Sequence, residues 1–340
     1  MKIKIATSTR LSLLFIVSLL TSCGTLHFYK QGLAGQVEIL RKSRPSAEVI
    51  TDSSTSEALR QRLRLAEELR QFASRELALP GQSAYGKYAD LGRNHVVFVL
   101  YAAPEFSMKP KTWHYPLVGE IDYRGYFQEE DAAAYAKELE AEGYETHLGG
   151  TDAYSTLGIF HDPVLNTFAG YREIDFAELI FHELTHIRIF RNGETTFNES
   201  LANAVSEEGV RKWLISKGRR SELADYEERL IRRRDFYREI EITRRELTKL
   251  YASGLPTETM RKKKQVALNK LKTRARALQQ RWGGKLLEEW LRLDLTNAHL
   301  LALVTYNSEI GTFRKLLHES GGDFEAFFRK VEEMESPLQP

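Results

Sequence analysis

Residues 180–189 read Ile180-Phe181-His182-Glu183-Leu184-Thr185-His186-Ile187-Arg188-Ile189, and Asn198-Glu199 follows beyond the turn Arg191-Asn192-Gly193. The apolar residues Ile180, Phe181, Leu184, Ile187 and Ile189 predict a largely buried helix over about 174–190. On that helix two imidazoles at i and i+4 stand one turn apart on the same face. They can place two ring nitrogens on one metal ion, and Glu183 beside them can take a proton from a water on that ion. Two histidines and a glutamate buried without partners would be costly, and a cation supplies the partner.

A zinc site with one open position takes three protein ligands and a water. The extended pattern with a third histidine needs Gly at 189 and His at 192; Ile189 and Asn192 stand there, so that class is excluded. The sequence instead predicts a second helix over about 197–217, antiparallel to the first, with Glu199 in its first turn. That geometry carries Glu199 back beside His182 and His186. Asn203, one turn further, can hold the other ring nitrogen of a ligating imidazole. The expected cofactor is Zn2+, with His182, His186 and Glu199 as ligands, Glu183 as general base and Asn203 as orienting residue.

This constellation resembles the gluzincin metallopeptidases over roughly residues 155–210; their zinc is held by two histidines of one helix and a glutamate of the next. A closer resemblance covers most of the chain. Tyr123-Arg124-Gly125-Tyr126-Phe127, Ala153-Tyr154-Ser155-Thr156-Leu157-Gly158, His182 to His186 and Asn198-Glu199-Ser200-Leu201-Ala202 resemble a bacterial family of predicted aminopeptidases. The resemblance implies zinc-dependent hydrolysis of peptide bonds. An oxyanion donor is expected at Tyr306, in the familial segment 297–306, with His299 and His318 as alternatives. Residues 154–158 are read as a strand, either an edge that pairs with the substrate backbone, as in gluzincins, or an ordinary sheet strand. Relatives are expected to carry Cys at the positions of His114 and Glu120, a disulfide absent from this chain. An aminopeptidase also needs acidic groups for the substrate ammonium. No Gly-x-Met-x-Asn element supplies them and nothing singles out Glu105, Glu120 or Asp162, so a zinc endopeptidase is the alternative. A non-catalytic envelope scaffold with a structural zinc is a third reading, opposed by Glu183, for which such a site has no use.

The N-terminus reads as an export signal. Lys2, Lys4 and Arg10 precede the apolar run Leu11 to Leu20, and Leu20-Thr21-Ser22-Cys23 follows. Ten residues are too few to span about 30 Å of hydrocarbon. The segment resembles the lipobox of bacterial lipoproteins, which implies a lipid on Cys23. With Gly24 next in the chain, it also implies the outer membrane, facing the periplasm. Cys23 is the sole Cys, and lipidation would remove a thiol that risks intermolecular disulfides.

Removing the first 22 residues takes the formal charge from +2 to −1. With no basic stripe interleaved with aromatics outside the long helical region, nucleic acid is not expected as a partner. Residues 1–22 are assigned to the signal and 23–80 to a tether (24–45) and N-terminal helices, with an amphipathic helix over 56–79. Residues 81–215 form the catalytic core, with strands near 95–103, 119–127, 144–148 and 154–160 and a helix over 131–142. Leu223, Tyr226, Leu230, Tyr237, Ile240, Leu247 and Tyr251 keep a heptad-like spacing, interrupted by Arg233 and Arg244, and Ser253-Gly254-Leu255-Pro256 ends it. This predicts an antiparallel coiled-coil hairpin over 216–285, a structural arm or a dock for an envelope protein, with its basic runs 232–234 and 261–264 on solvated faces. Helices over 286–314 and 324–335 are expected to complete the cleft. The fold class is α+β and mostly helical: a small mixed sheet on a zincin-type helix pair, with the long hairpin.

Overall fold

A computed structural model describes residues 23–115, 119–304 and 310–335. It begins with helix α1 (Cys23–Lys42), where a tether was expected. Phe28, Gly35 and Ile39 lie on one side of this helix; Ile39 joins the core and Gly35 packs on Phe127. A helix that buries a stripe of this kind is held by the body of the protein, which is why the segment is not a free linker. After β1 (Arg44–Pro45) and α2 (Ser46–Thr51), the Ser56 hydroxyl accepts from the Leu59 N–H at 3.3 Å and caps α3 (Glu57–Glu76). Leu63, Ala66, Leu69, Phe72 and Ala73 form its buried stripe.

Three small sheets follow. The first has the order β1-β2-β8, with β2 (Lys87–Ala89) antiparallel to β1 and parallel to β8 (Val164–Leu165). In the second, β3 (Val97–Pro104) lies between β6 (Arg124–Tyr126) and β7 (Tyr144–Thr151), antiparallel to both, from Val97 opposite Thr151 to Pro104 opposite Tyr144. Helix α4 (Glu129–Ala141) covers one face, burying Ala136 and Leu139 against Leu100 and Ala102. The third sheet pairs β4 (Trp113–Tyr115) with β5 (Gly119–Ile121) and sets His114 opposite Glu120, their side chains 3.1 Å apart. The single strand expected over 119–127 is therefore two strands in different sheets, split at Asp122-Tyr123.

Residues 154–160 form no strand. The Asp162 carboxylate accepts the Thr156 N–H at 2.8 Å and its hydroxyl at 2.6 Å, which folds the segment into a loop. Leu157 and Gly158 have φ of 54° and 80°, in a region strands do not use. A Cβ on Gly158 would meet Ile187 at 3.0 Å, so glycine lets this loop lie on the next long helix.

After α5 (Asn166–Ala169), α6 (Glu173–Arg188) and α7 (Thr195–Ser216) form an antiparallel pair at the centre of the main core. Phe176, Ala177, Ile180, Phe181 and Leu184 of α6 are buried. A Cβ on Gly209 would meet Leu77 at 2.7 Å and Phe181 at 2.8 Å, so glycine sets the close approach of α7. Helices α8 (Arg220–Tyr251) and α9 (Thr257–Arg281) make the expected hairpin. Ile240 and Leu247 share a second core with Leu268 and Leu271, and Ala103 and Met108 seat that core on the end of the second sheet. The basic runs are not simply solvated: Arg261 binds Glu105 at 2.6 Å, buried Lys264 binds Glu145, and Arg233 reaches the site described below. The segment 286–314 is broken into α10 (Glu288–Arg292), α11 (Asn297–Val304) and the start of α12 (Ile310–Glu319), before α13 (Phe324–Glu333). Helix α11 packs on β3, β7 and α8, and α12 on α7. The chain is α+β and mostly helical, with sheets of two and three strands. Among the described residues no helix is long and apolar enough to cross a membrane.

Candidate metal centre

The turn between α6 and α7 sets the site. The buried Asn198 side chain donates to the Arg191 carbonyl and accepts from the Arg191 N–H, both at 2.8 Å, and Arg191 lies 4.0 Å over the Phe197 ring. This clamp fixes where α7 starts and so points Glu199 back at α6. The Nε2 atoms of His182 and His186 are 3.1 Å apart. Glu199 Oε2 lies 3.2 Å from His182 Nε2, and its Oε1 lies 3.7 Å from His186 Nε2. Ligand atoms 2.0–2.1 Å from a zinc ion at tetrahedral angles lie about 3.3 Å from one another. The separations lie close to that value, with the two imidazoles meeting different oxygens of the Glu199 carboxylate, so the three side chains could hold one ion between them. They are the group of three or more ligating side chains found among the described residues, all donor atoms within 4.8 Å of each other.

His182 Nδ1 is 3.0 Å from Asn203 Oδ1. An amide oxygen only accepts, so Nδ1 carries a proton and Nε2 is the nitrogen that faces His186 and Glu199, the one that would ligate a metal on losing its own proton. His186 Nδ1 is buried and has no hydrogen-bond partner among the described residues. With protons as the counter-charge, burial disfavours the imidazolium of His182, but Glu199, with Glu183 and Asn203, more than offsets it and raises the group to about 9. Burial alone would raise Glu199; the two imidazoles hold it well below the usual carboxylate range. Burial raises Glu183, with His182 and His186 opposing.

These residues floor a cleft of about 760 Å³. Phe28 and Gln31 of α1, Tyr123, Tyr154 and Arg233 stand in its walls. The loop residues Ser155 and Leu157 also line it, in place of the expected strand. Tyr123 lies where the strand 119–127 splits. Burial, together with the charges of Glu199 and Glu183, raises its phenol well above the ordinary range, so it keeps its proton. Arg233 comes from the hairpin. It donates to Glu178 at 2.7 Å and to the buried Glu207 at 2.6 Å, and Glu207 also takes Arg314. Glu178 is one turn before His182 and Glu207 one turn after Asn203, so one guanidinium ties the hairpin to both α6 and α7.

His182, Glu183, His186, Glu199 and Asn203 are thus together at one cleft. Tyr306 lies outside the described residues. His299 sits elsewhere, its ring tilted against that of His147 at 4.3 Å between centroids and bonded to the Thr296 hydroxyl at 2.8 Å; burial lowers it to about 4. Neither it nor His318 lines the cleft, and among the described residues nothing after Arg233 does; of the C-terminal helices, α12 packs on α7 while α11 packs on the second sheet and α8. Cys23 is the first residue of α1. In the sequence Tyr123 stands out only as the first residue of the motif Tyr123 to Phe127, Arg233 only as a charge at an apolar hairpin position, and the inner face of α1 leaves no local mark.

No curated protein and no solved structure matches the chain. A family model does match, over residues 27–339, nearly the whole sequence and all of the residues that build the cleft. The chain therefore belongs to the protein family described as "Putative aminopeptidase".

Proposed function

We propose that this protein is a zinc-dependent peptidase, first of all an aminopeptidase. The observation that carries the reading is the convergence of His182, His186 and Glu199 at separations suited to one tetrahedral ion. Membership of the family supports peptidase activity at the coarse level. A zinc ion held there would acidify a water and polarise a carbonyl.

The side chains do the rest. Glu183, at the cleft floor with its carboxyl raised by burial, takes a proton from the attacking water and returns it to the leaving amine. Asn203 holds His182 in the tautomer that leaves Nε2 free to ligate. Tyr123 donates to the carbonyl oxygen as negative charge gathers there. An endopeptidase would use the same groups, and the two modes differ in how the cleft treats a free ammonium. Purified protein incubated with defined peptides should release amino acids from their N-termini, lose that activity to a chelator and regain it with zinc. Internal fragments would indicate the endopeptidase, and no cleavage of any peptide would defeat the proposal.

We further propose that the chain is exported and lipidated at Cys23, anchored to the outer membrane and facing the periplasm. The short apolar run ending at Leu20-Thr21-Ser22-Cys23 supports this.

A further inference from the structure

Helix α1 is apolar on two opposite sides. At about 100° per residue, Phe28, Gly35 and Ile39 share one side, which enters the cleft wall and the core. Leu26, Tyr29, Leu33 and Leu40 share the other, and they are 63%, 48%, 68% and 39% exposed. Scattered exposed leucines are ordinary; an aligned row of this length marks an interaction surface. Exposed Lys30 and Arg41 border the row. The one acid of the helix, Glu38, lies toward the opposite side, paired with Lys42 and Arg93. An apolar stripe flanked by cations suits the boundary between headgroups and acyl chains of an anionic bilayer.

The position of the stripe says what covers it. Leu26 is three residues after Cys23, at the point where the chain arrives from the apolar run 11–20. We propose that the outer face of α1 lies in the surface of a bilayer containing anionic phospholipid. Phe28, Gln31 and Gly32 of the same helix line the cleft, so one helix, about 10 Å thick, separates the cleft from lipid. The enzyme would then work against the membrane surface and take peptides presented there. The proposal rests on the anchoring reading for delivery to the membrane and is independent of the chemistry at the metal site.

Because Cys23 is the sole cysteine, the test uses the full chain with one added thiol. The protein carrying Leu33→Cys, and separately Leu26→Cys, is purified from membranes, labelled with bimane and reconstituted in phosphatidylethanolamine–phosphatidylglycerol vesicles. Ser253→Cys, exposed at the turn of the hairpin, is the reference. Brominated acyl chains should quench the label at positions 33 and 26 several-fold more than at 253. Equal quenching at all three positions would overturn the proposal. So would shielding of position 33 that persists without lipid, which would mean a second copy or the segment 11–20 covers the stripe. Labelling of the unmutated chain separates the two readings: an unreactive parent is lipidated at Cys23, and a reactive one disproves the anchor whatever the stripe does.

Discussion

The Nδ1 atom of His182 on α6 and the Oδ1 atom of Asn203 on α7 stand 3.0 Å apart, and this bond decides which imidazole nitrogen faces Glu199. His186 has no such support at its own Nδ1 among the described residues, so the orientation of the pair depends on Asn203. Asn203→Ala should therefore weaken zinc binding about 10- to 100-fold, as loss of an outer hydrogen bond to a ligating histidine commonly does. Competition with a metallochromic chelator measures it; unchanged affinity would mean that packing alone orients the ring.

Arg233 neutralises two carboxylates on two helices. Arg233→Met leaves Glu178 with the longer Arg229 contact and Glu207 with Arg314 alone. A cost of about 1–3 kcal/mol is expected in urea unfolding, the usual range for a buried polar group deprived of a partner. Because the hairpin would loosen on α6 and α7, KM should rise as well. A variant as stable and as active as the parent would show that the guanidinium is incidental.

The ligand cluster also sets a pH signature. The proton of His182 is raised from an ordinary 6.5 to about 9, so its stabilising contribution is full below 6.5 and is lost as pH rises through 9. Glu199 is shifted the other way, and its contribution is lost only as pH falls below the ordinary carboxylate range. Chelator-treated protein should therefore lose stability between pH 6.5 and 9. Zinc displaces the proton, so its apparent affinity climbs over the same interval. The melting temperatures of zinc-loaded and chelated protein should diverge as pH rises; a constant difference would contradict the assignment.

Tyr123 offers a hydroxyl to the same cleft. Tyr123→Phe should leave zinc content unchanged and lower kcat by about 10²–10³, the cost of removing one oxyanion donor. A full-rate variant would return the role to the segment that holds Tyr306.

How much of this was legible in the sequence follows from the range of the interactions. His182, Glu183 and His186 lie within one helical turn, and the Arg191-Asn192-Gly193 turn returns the chain at once to Glu199, so local spacing sufficed. Asn203 needed only one further turn. Residues 154–160 misled because their local composition suits a strand, while Asp162 hydrogen-bonds Thr156 and folds them into a loop. Helix α1 was hidden for the reason that makes it of interest: with apolar residues on both faces it shows no simple amphipathic period. Arg233 was visible only as a break in a heptad, because its carboxylates lie 55 and 26 residues away in the chain. The Tyr101, Tyr123 and His147 rings meet through strand pairing, which no single-segment pattern encodes.

On the proposed mechanism the carboxylate at position 183 moves the proton in peptide hydrolysis while other groups hold the metal. Glu183→Gln keeps the shape and removes the base. The measurement is kcat on a peptide substrate alongside bound zinc per chain in the same preparation. Zinc should stay at the parent's level and kcat should fall at least about 10²-fold. Turnover equal to the parent's with zinc in place would contradict that mechanism.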